Sequence, residues 1–104
     1  MELSYYKDAI ADFNIALKLK SSEDIDFEIL CHRANCKNYL FDYKGAIEDY
    51  SRAIQIEQNF EDPYSGRAKA YLMIGLKKES IKDWQSLVDL GFDNYKDSIA
   101  KYSN

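Results

Sequence analysis

A single proline, Pro63, and four glycines, Gly45, Gly66, Gly75 and Gly91, are all that interrupt the 104 residues. So few breakers leave little room for the turn-dense pattern of an all-β chain and point to helices throughout. No apolar run approaches the roughly 20 residues that span a bilayer, so no membrane contact is expected. Met1-Glu2-Leu3-Ser4 opens straight into tyrosines and charges, without a basic-then-apolar leader, so the expected location is cytoplasmic. Dense Lys/Arg clusters are absent too: Lys77-Lys78 runs directly into Glu79, and 18 acidic against 14 basic residues give a net charge of −4. That balance disfavours a nucleic-acid partner.

The reactive residues are as sparse. One histidine, His32, and two cysteines, Cys31 and Cys36, fall short of a structural zinc set, so no metal is expected. Five residues apart on one helix, the two thiols point in different directions and make an intrachain disulfide a poor fit. His32 adjoins Cys31, but neighbours on a helix project about 100° apart and cannot share a proton in a catalytic geometry. With no second histidine and no glycine-rich phosphate loop, the sequence suggests neither an enzyme nor a cofactor.

What is abundant is apolar and aromatic residues at helical spacing. Nine Tyr and five Phe stand against one Trp. Ile10, Phe13 and Leu17, with Ala9 and Ala16, make one stripe. Ala46, Ile47, Tyr50, Ala53 and Ile54 make a second, and Ile81, Trp84, Leu87 and Val88 a third. Helices over about 24–40 and 63–74 fill the intervals, and Asp93-Asn94 caps a short one over about 95–102, giving six in all. Asp62-Pro63 reads as a cap followed by proline at the first helical position, Ser21 and Ser22 as caps of the second helix, and Gly75 and Gly91 as left-handed helix ends.

The stripes repeat. YKDAIADFNIALKL at Tyr6 to Leu19 aligns with YKGAIEDYSRAIQI at Tyr43 to Ile56, 37 residues on. A weaker copy, KKESIKDWQSLVDLG from Lys77 to Gly91, follows 34 residues later, and RANCKNYL at Arg33 to Leu40 precedes RAKAYLMI at Arg67 to Ile74 by the same 34. A helix–turn–helix unit of this length, with small residues and an aromatic at fixed places, resembles the tetratricopeptide repeat. Ala68 and Tyr71 stand in the small and Tyr slots of a first helix. Ala46, Tyr50 and Ala53 fill the second-helix set, as do Ala9, Phe13 and Ala16 one copy earlier. Departures are Ser21, Gln58 and Phe92 at the usual proline, Lys37 in a Tyr slot, and Ser80 and Leu87 where Ala is usual. The 37-residue step suggests a longer inter-repeat loop near Asp24 to Asp26.

The resemblance implies an all-α right-handed superhelix of antiparallel helix pairs in a single domain over 1–104. Residues 5–20 would be the second helix of an incomplete first repeat, 24–57 and 61–90 two repeats, and 94–102 a capping helix. It implies a non-catalytic scaffold that binds a protein or peptide in a concave groove lined by first helices: Glu28, Cys31, Asn35, Asn38 and Tyr39, then Ser65, Lys69, Leu72 and Met73. One subfamily grips the acidic tails of heat-shock chaperones with a two-carboxylate clamp. The matching slots here hold Cys31 with Asn35 and Asp62 with Gly66, and only Asn35 fits. The recurring Arg33 and Arg67 suggest structural pairs with the equally recurring Asp49 and Asp83. Finally, the first helix lacks a partner ahead of it. Tyr5, Ile10, Phe13 and Leu17 are therefore candidates for self-association, as a homodimer or within a longer array.

Overall fold

A computed structural model of the chain describes residues 2–19 and 22–103. It contains six α-helices, α1 (Glu2–Lys18), α2 (Glu23–Tyr39), α3 (Tyr43–Ile56), α4 (Glu61–Met73), α5 (Lys77–Asp89) and α6 (Lys96–Tyr102), with a 3-10 turn over Asp93–Tyr95 ahead of α6. No strand occurs among the described residues. Each helix packs on its neighbours in chain order, and α2 also reaches α4, so the helices stack as a superhelix. None is long and apolar enough to cross a membrane among the described residues.

Local chemistry sets the ends. The Ser22 hydroxyl accepts from the Ile25 amide at 3.3 Å and starts α2, while Asp42 accepts from the Gly45 amide at 3.1 Å and starts α3. The expected Ser21 cap and the Lys20 end of α1 lie outside the described residues. Three helices close alike. Asp42 N–H reaches back to Lys37 O at 2.8 Å, Leu76 N–H to Tyr71 O at 2.8 Å, and Phe92 N–H to Leu87 O at 2.9 Å. The residue before each donor is left-handed: Phe41 at φ 64°, Gly75 at 84° and Gly91 at 104°. Two of the three are the glycines expected there, and Phe41 holds the conformation with a side chain.

Several boundaries differ from expectation: α1 begins at Glu2 rather than at residue 5, and Asp93 and Asn94 lie in the 3-10 turn instead of capping α6, which Tyr95 precedes. Pro63 is the third residue of α4, not the first, and Phe60 rather than Asp62 precedes the helix. Proline is tolerated because the first four amides of a helix have no intrahelical acceptor. The extra residues at Asp24 to Asp26 do not lengthen a loop. They add a turn to the start of α2, which has 17 residues against 13 in α4. Glu23, Asp24 and Asp26 suit that place, since acids are favoured at a helix N-terminus.

Small residues let the helices close up. Ala34, Ala46 and Tyr50 form one buried cluster. Leu30, Cys31 and Ala53 form a second, sealed by Leu17, Phe27 and Ile56. Tyr64, Ala68, Trp84 and Leu87 form a third, against which the C-terminal Tyr95, Ile99 and Tyr102 pack. Full burial of Leu30 and Leu87 contributes about 1.5–3 kcal/mol each. Gly66 is glycine for a physical reason: a Cβ there would strike the Tyr50 ring. Ser80, fully buried in an Ala slot, donates its hydroxyl to Ala68 O at 2.7 Å.

An arginine staple repeats with the fold. Arg33 on α2 holds Asp49 on α3 through two bonds of 2.7 Å and Asn14 on α1 through a third of 2.7 Å. Arg67 on α4 holds Asp83 on α5 at 2.9 and 2.6 Å and Ser51 on α3 at 3.0 Å. Each guanidinium thus ties three successive helices, using a geometry lysine could not supply. Where α4 has Tyr71 stacked near Arg67, α2 has Lys37, whose ammonium lies 3.1 Å from Asp49.

Candidate partner-binding groove

Between the first halves of α2 and α4 opens a cleft of about 510 Å³. Glu28, Cys31, His32 and Asn35 line it from α2, and Glu61 and Asp62 from α4. Asn59 and Phe60 come from the α3–α4 connection, and Phe92 lines the cleft from just beyond α5. A second hollow of about 500 Å³ adjoins it, sharing Phe27, Glu28 and Phe60 and adding Asp24, Ile56 and Glu57. The shared residues form the ridge between them, with the Phe27 and Phe60 rings 5.3 Å apart and Phe60 55% exposed. Further along, a narrow cleft of about 200 Å³ runs past Asn35, Asn38, Tyr39, Tyr50, Gly66 and Lys69.

The expected groove residues therefore divide. Glu28, Cys31 and Asn35 line the large cleft, and Asn35, Asn38, Tyr39 and Lys69 the narrow one. Leu72 turns instead into the cluster around Trp84, as residues one turn apart on α4 must serve α5 as well as the groove. Ser65 is half-buried, donates to Asp62 O at 3.2 Å and lies beside Tyr95. Met73 is exposed at the end of α4, outside all of the clefts described.

The two asparagines are already engaged. Tyr50 donates its hydroxyl to Asn35 Oδ1, and Asn38 Nδ2 donates to Gly66 O at 3.3 Å and to Tyr50 Oη at 3.4 Å. That leaves the buried Asn38 Oδ1 as an acceptor without a partner among the described residues. Both cysteines are free and buried. Burial, then the nearby Asp62 and Glu28 carboxylates, pushes the Cys31 thiol up to about 12, so it is protonated and unreactive at neutral pH. His32 is exposed and lies flat against Phe13, ring centroids 6.1 Å apart, in no pairing with the Cys31 sulfur.

The aromatic ridge escaped the sequence reading, which followed the exposed face of the first helices. Phe60 stands alone among Gln58, Asn59 and Glu61, and a large apolar residue in so polar a connection was the available signal.

At the chain's start, Ile10, Phe13 and Leu17 are half-buried and Tyr5 is exposed. Leu17 packs on the Leu30, Cys31 and Ala53 cluster. Ala9, Phe13 and Ala16 are only half-buried, while Ala46, Tyr50 and Ala53, one copy later, are buried. Tyr5 and Ile15 on one side of α1, with Leu19 just past its end, are exposed to solvent, while Leu3 projects to the opposite side of the helix.

Alternating helix pairs with alanine-and-aromatic packing give a helical fold of the tetratricopeptide-repeat kind. Residues 42–75 match the family model of the TPR repeat. Among solved structures, the Hsp90 co-chaperone Cns1 from Saccharomyces cerevisiae superposes with a TM-score of 0.84 at 21% identity, over 94% of this chain and 34% of that one. The chain thus spans about a third of the co-chaperone's length. No curated protein matches the sequence.

Proposed function

We propose that the chain is a non-catalytic protein-interaction scaffold that holds a peptide or partner protein in the cleft between α2 and α4. In this reading α1 is the second helix of an incomplete repeat, α2–α3 and α4–α5 are two repeats, and α6 caps the stack. One observation carries the proposal: the cleft of about 510 Å³ keeps an exposed aromatic, Phe60, among its lining residues. The TPR repeat over 42–75 supports it, because this repeat type in general serves protein interaction. The co-chaperone resemblance is compatible with it but does not select a chaperone tail, since Cys31, Asp62 and Gly66 stand in the clamp slots. A cytoplasmic protein partner fits this reading. Selection of a displayed random-peptide library on the folded chain is expected to enrich a consensus. Its binding should be lost in Phe60→Ser and kept in Ile15→Asp; selection of no consensus, or one indifferent to Phe60, refutes the cleft.

Self-association is the second reading, favoured by the half-buried Ala9, Phe13 and Ala16 and the exposed Tyr5 and Ile15 of α1. Light scattering over a concentration series tests it. A dimer that dissociates in Ile15→Asp supports the reading, and a monomer at high concentration removes it. Ile15 is a cleaner probe than Leu17, which the fold itself uses.

A further inference from the structure

The two large hollows have a consistent charge. Their walls carry Asp24, Glu28, Glu57, Glu61 and Asp62 and no lysine or arginine. Two of these carboxylates have structural duties: Glu61 accepts from Tyr95 Oη at 2.5 Å and Glu57 from the Asn59 amide at 3.0 Å. Asp24, Glu28 and Asp62 are in no ion pair among the described residues. The field they create is felt inside the cleft, where Asp62 and Glu28 both help to raise the Cys31 thiol. Between the acids stands the Phe27–Phe60 ridge, an apolar shelf with ring faces suited to a cationic side chain. The added turn of α2 contributes Asp24 to this wall, so the departure from a strict 34-residue period extends the acidic surface.

Resting on the groove reading above, we infer that the occupant is an extended basic peptide, one that lays an apolar residue on Phe27 and Phe60 and sets a lysine or arginine on either side against Glu28 and Asp62. An acidic tail would bring its carboxylates to a wall that holds three carboxylates, Glu28, Glu61 and Asp62, and no lysine or arginine. Charge complementarity of this kind sets partner choice and association rate more than total affinity.

The test uses three fluorescein-labelled nonapeptides with leucine at alternate positions and arginine, glutamine or glutamate between. The arginine peptide is expected to bind at least about tenfold tighter than the glutamine peptide, and the glutamate peptide not measurably. Glu28→Gln with Asp62→Asn, both exposed positions, should remove that preference, while Glu48→Gln with Asp89→Asn, exposed elsewhere, should leave it. Circular dichroism of each variant checks the fold. If glutamine and arginine peptides bind alike and Phe60→Ser abolishes both, the groove stands and its basic specificity falls. If arginine binding survives Glu28→Gln/Asp62→Asn, it is diffuse attraction to a net charge of −4 and the inference is overturned. If no peptide binds, or Phe60→Ser changes nothing, the groove reading falls with it.

Discussion

Asp83→Ala should destabilise the chain by about 3 kcal/mol, and a second substitution should restore most of that loss. The Asp83 side chain is 4% exposed and meets Arg67, itself 19% exposed, through bonds of 2.9 and 2.6 Å. Removing the carboxylate leaves the guanidinium with the Ser51 hydroxyl at 3.0 Å and the Tyr71 ring at 5.7 Å. Stranding one member of a buried pair costs about 3–5 kcal/mol, whereas replacing both by apolar groups is often neutral. The remaining partners and a sliver of water place this site at the low end. In a domain of this size about 3 kcal/mol lowers Tm by roughly 15 °C. Arg67→Met/Asp83→Ala carries no stranded charge and should fall within about 1 kcal/mol of the unaltered chain. Urea denaturation read at 222 nm and by Trp84 fluorescence measures both, Trp84 being the single Trp and next in sequence to the altered site. The reasoning fails if Asp83→Ala costs under about 1 kcal/mol, or if the double variant is less stable than the single one.

Gly66→Ala would usually stabilise a helix by about 1 kcal/mol. Here the new Cβ meets the Tyr50 ring, and overpacking of about 1–3 kcal/mol should leave the variant less stable in urea; a gain would mean the ring has room to move. Phe41→Gly should do the opposite. Phe41 sits at φ 64° with 73% of its surface exposed, so glycine relieves about 1–2 kcal/mol of left-handed strain against about 0.5–1 kcal/mol of chain entropy. Thermal denaturation should therefore show a higher Tm, and a lower one would show that the ring packs more than its exposure implies.

The fold was legible because the packing slots are chemically narrow. Ala46, Ala53 and Ala68 are wholly buried, so only small side chains fit, and such positions leave a visible period in the sequence. The staples were legible for a similar reason, since Arg33 with Asp49 and Arg67 with Asp83 recur at one spacing. The added turn of α2 was read in two ways, as helix from about residue 24 and as a longer loop near Asp24 to Asp26. An insertion shows its length, and Glu23, Asp24 and Asp26 serve a loop or a helix start equally well. Leu72 packs partly on the Trp84 cluster, since apolar residues on α4 face either α5 or the groove and the pattern does not say which.

That ambiguity bears on where partner choice resides. Helices α2 and α4 line the proposed groove, but the asparagines there are occupied by the fold, Asn35 and Asn38 by Tyr50. A residue that must hold Tyr50 in place cannot be varied to suit a ligand without loosening the core. In the proposed scaffold the groups left to meet a partner are those with no such duty: Phe60 in its connection, Glu28, Asp62 and Asp24 near the helix starts, and the exposed Lys69 of the narrow cleft. Affinity in this scaffold should therefore respond to substitution at Phe60 and its acidic neighbours with little change in stability. Substitution at Asn35 should do the reverse, lowering stability before it alters what is bound.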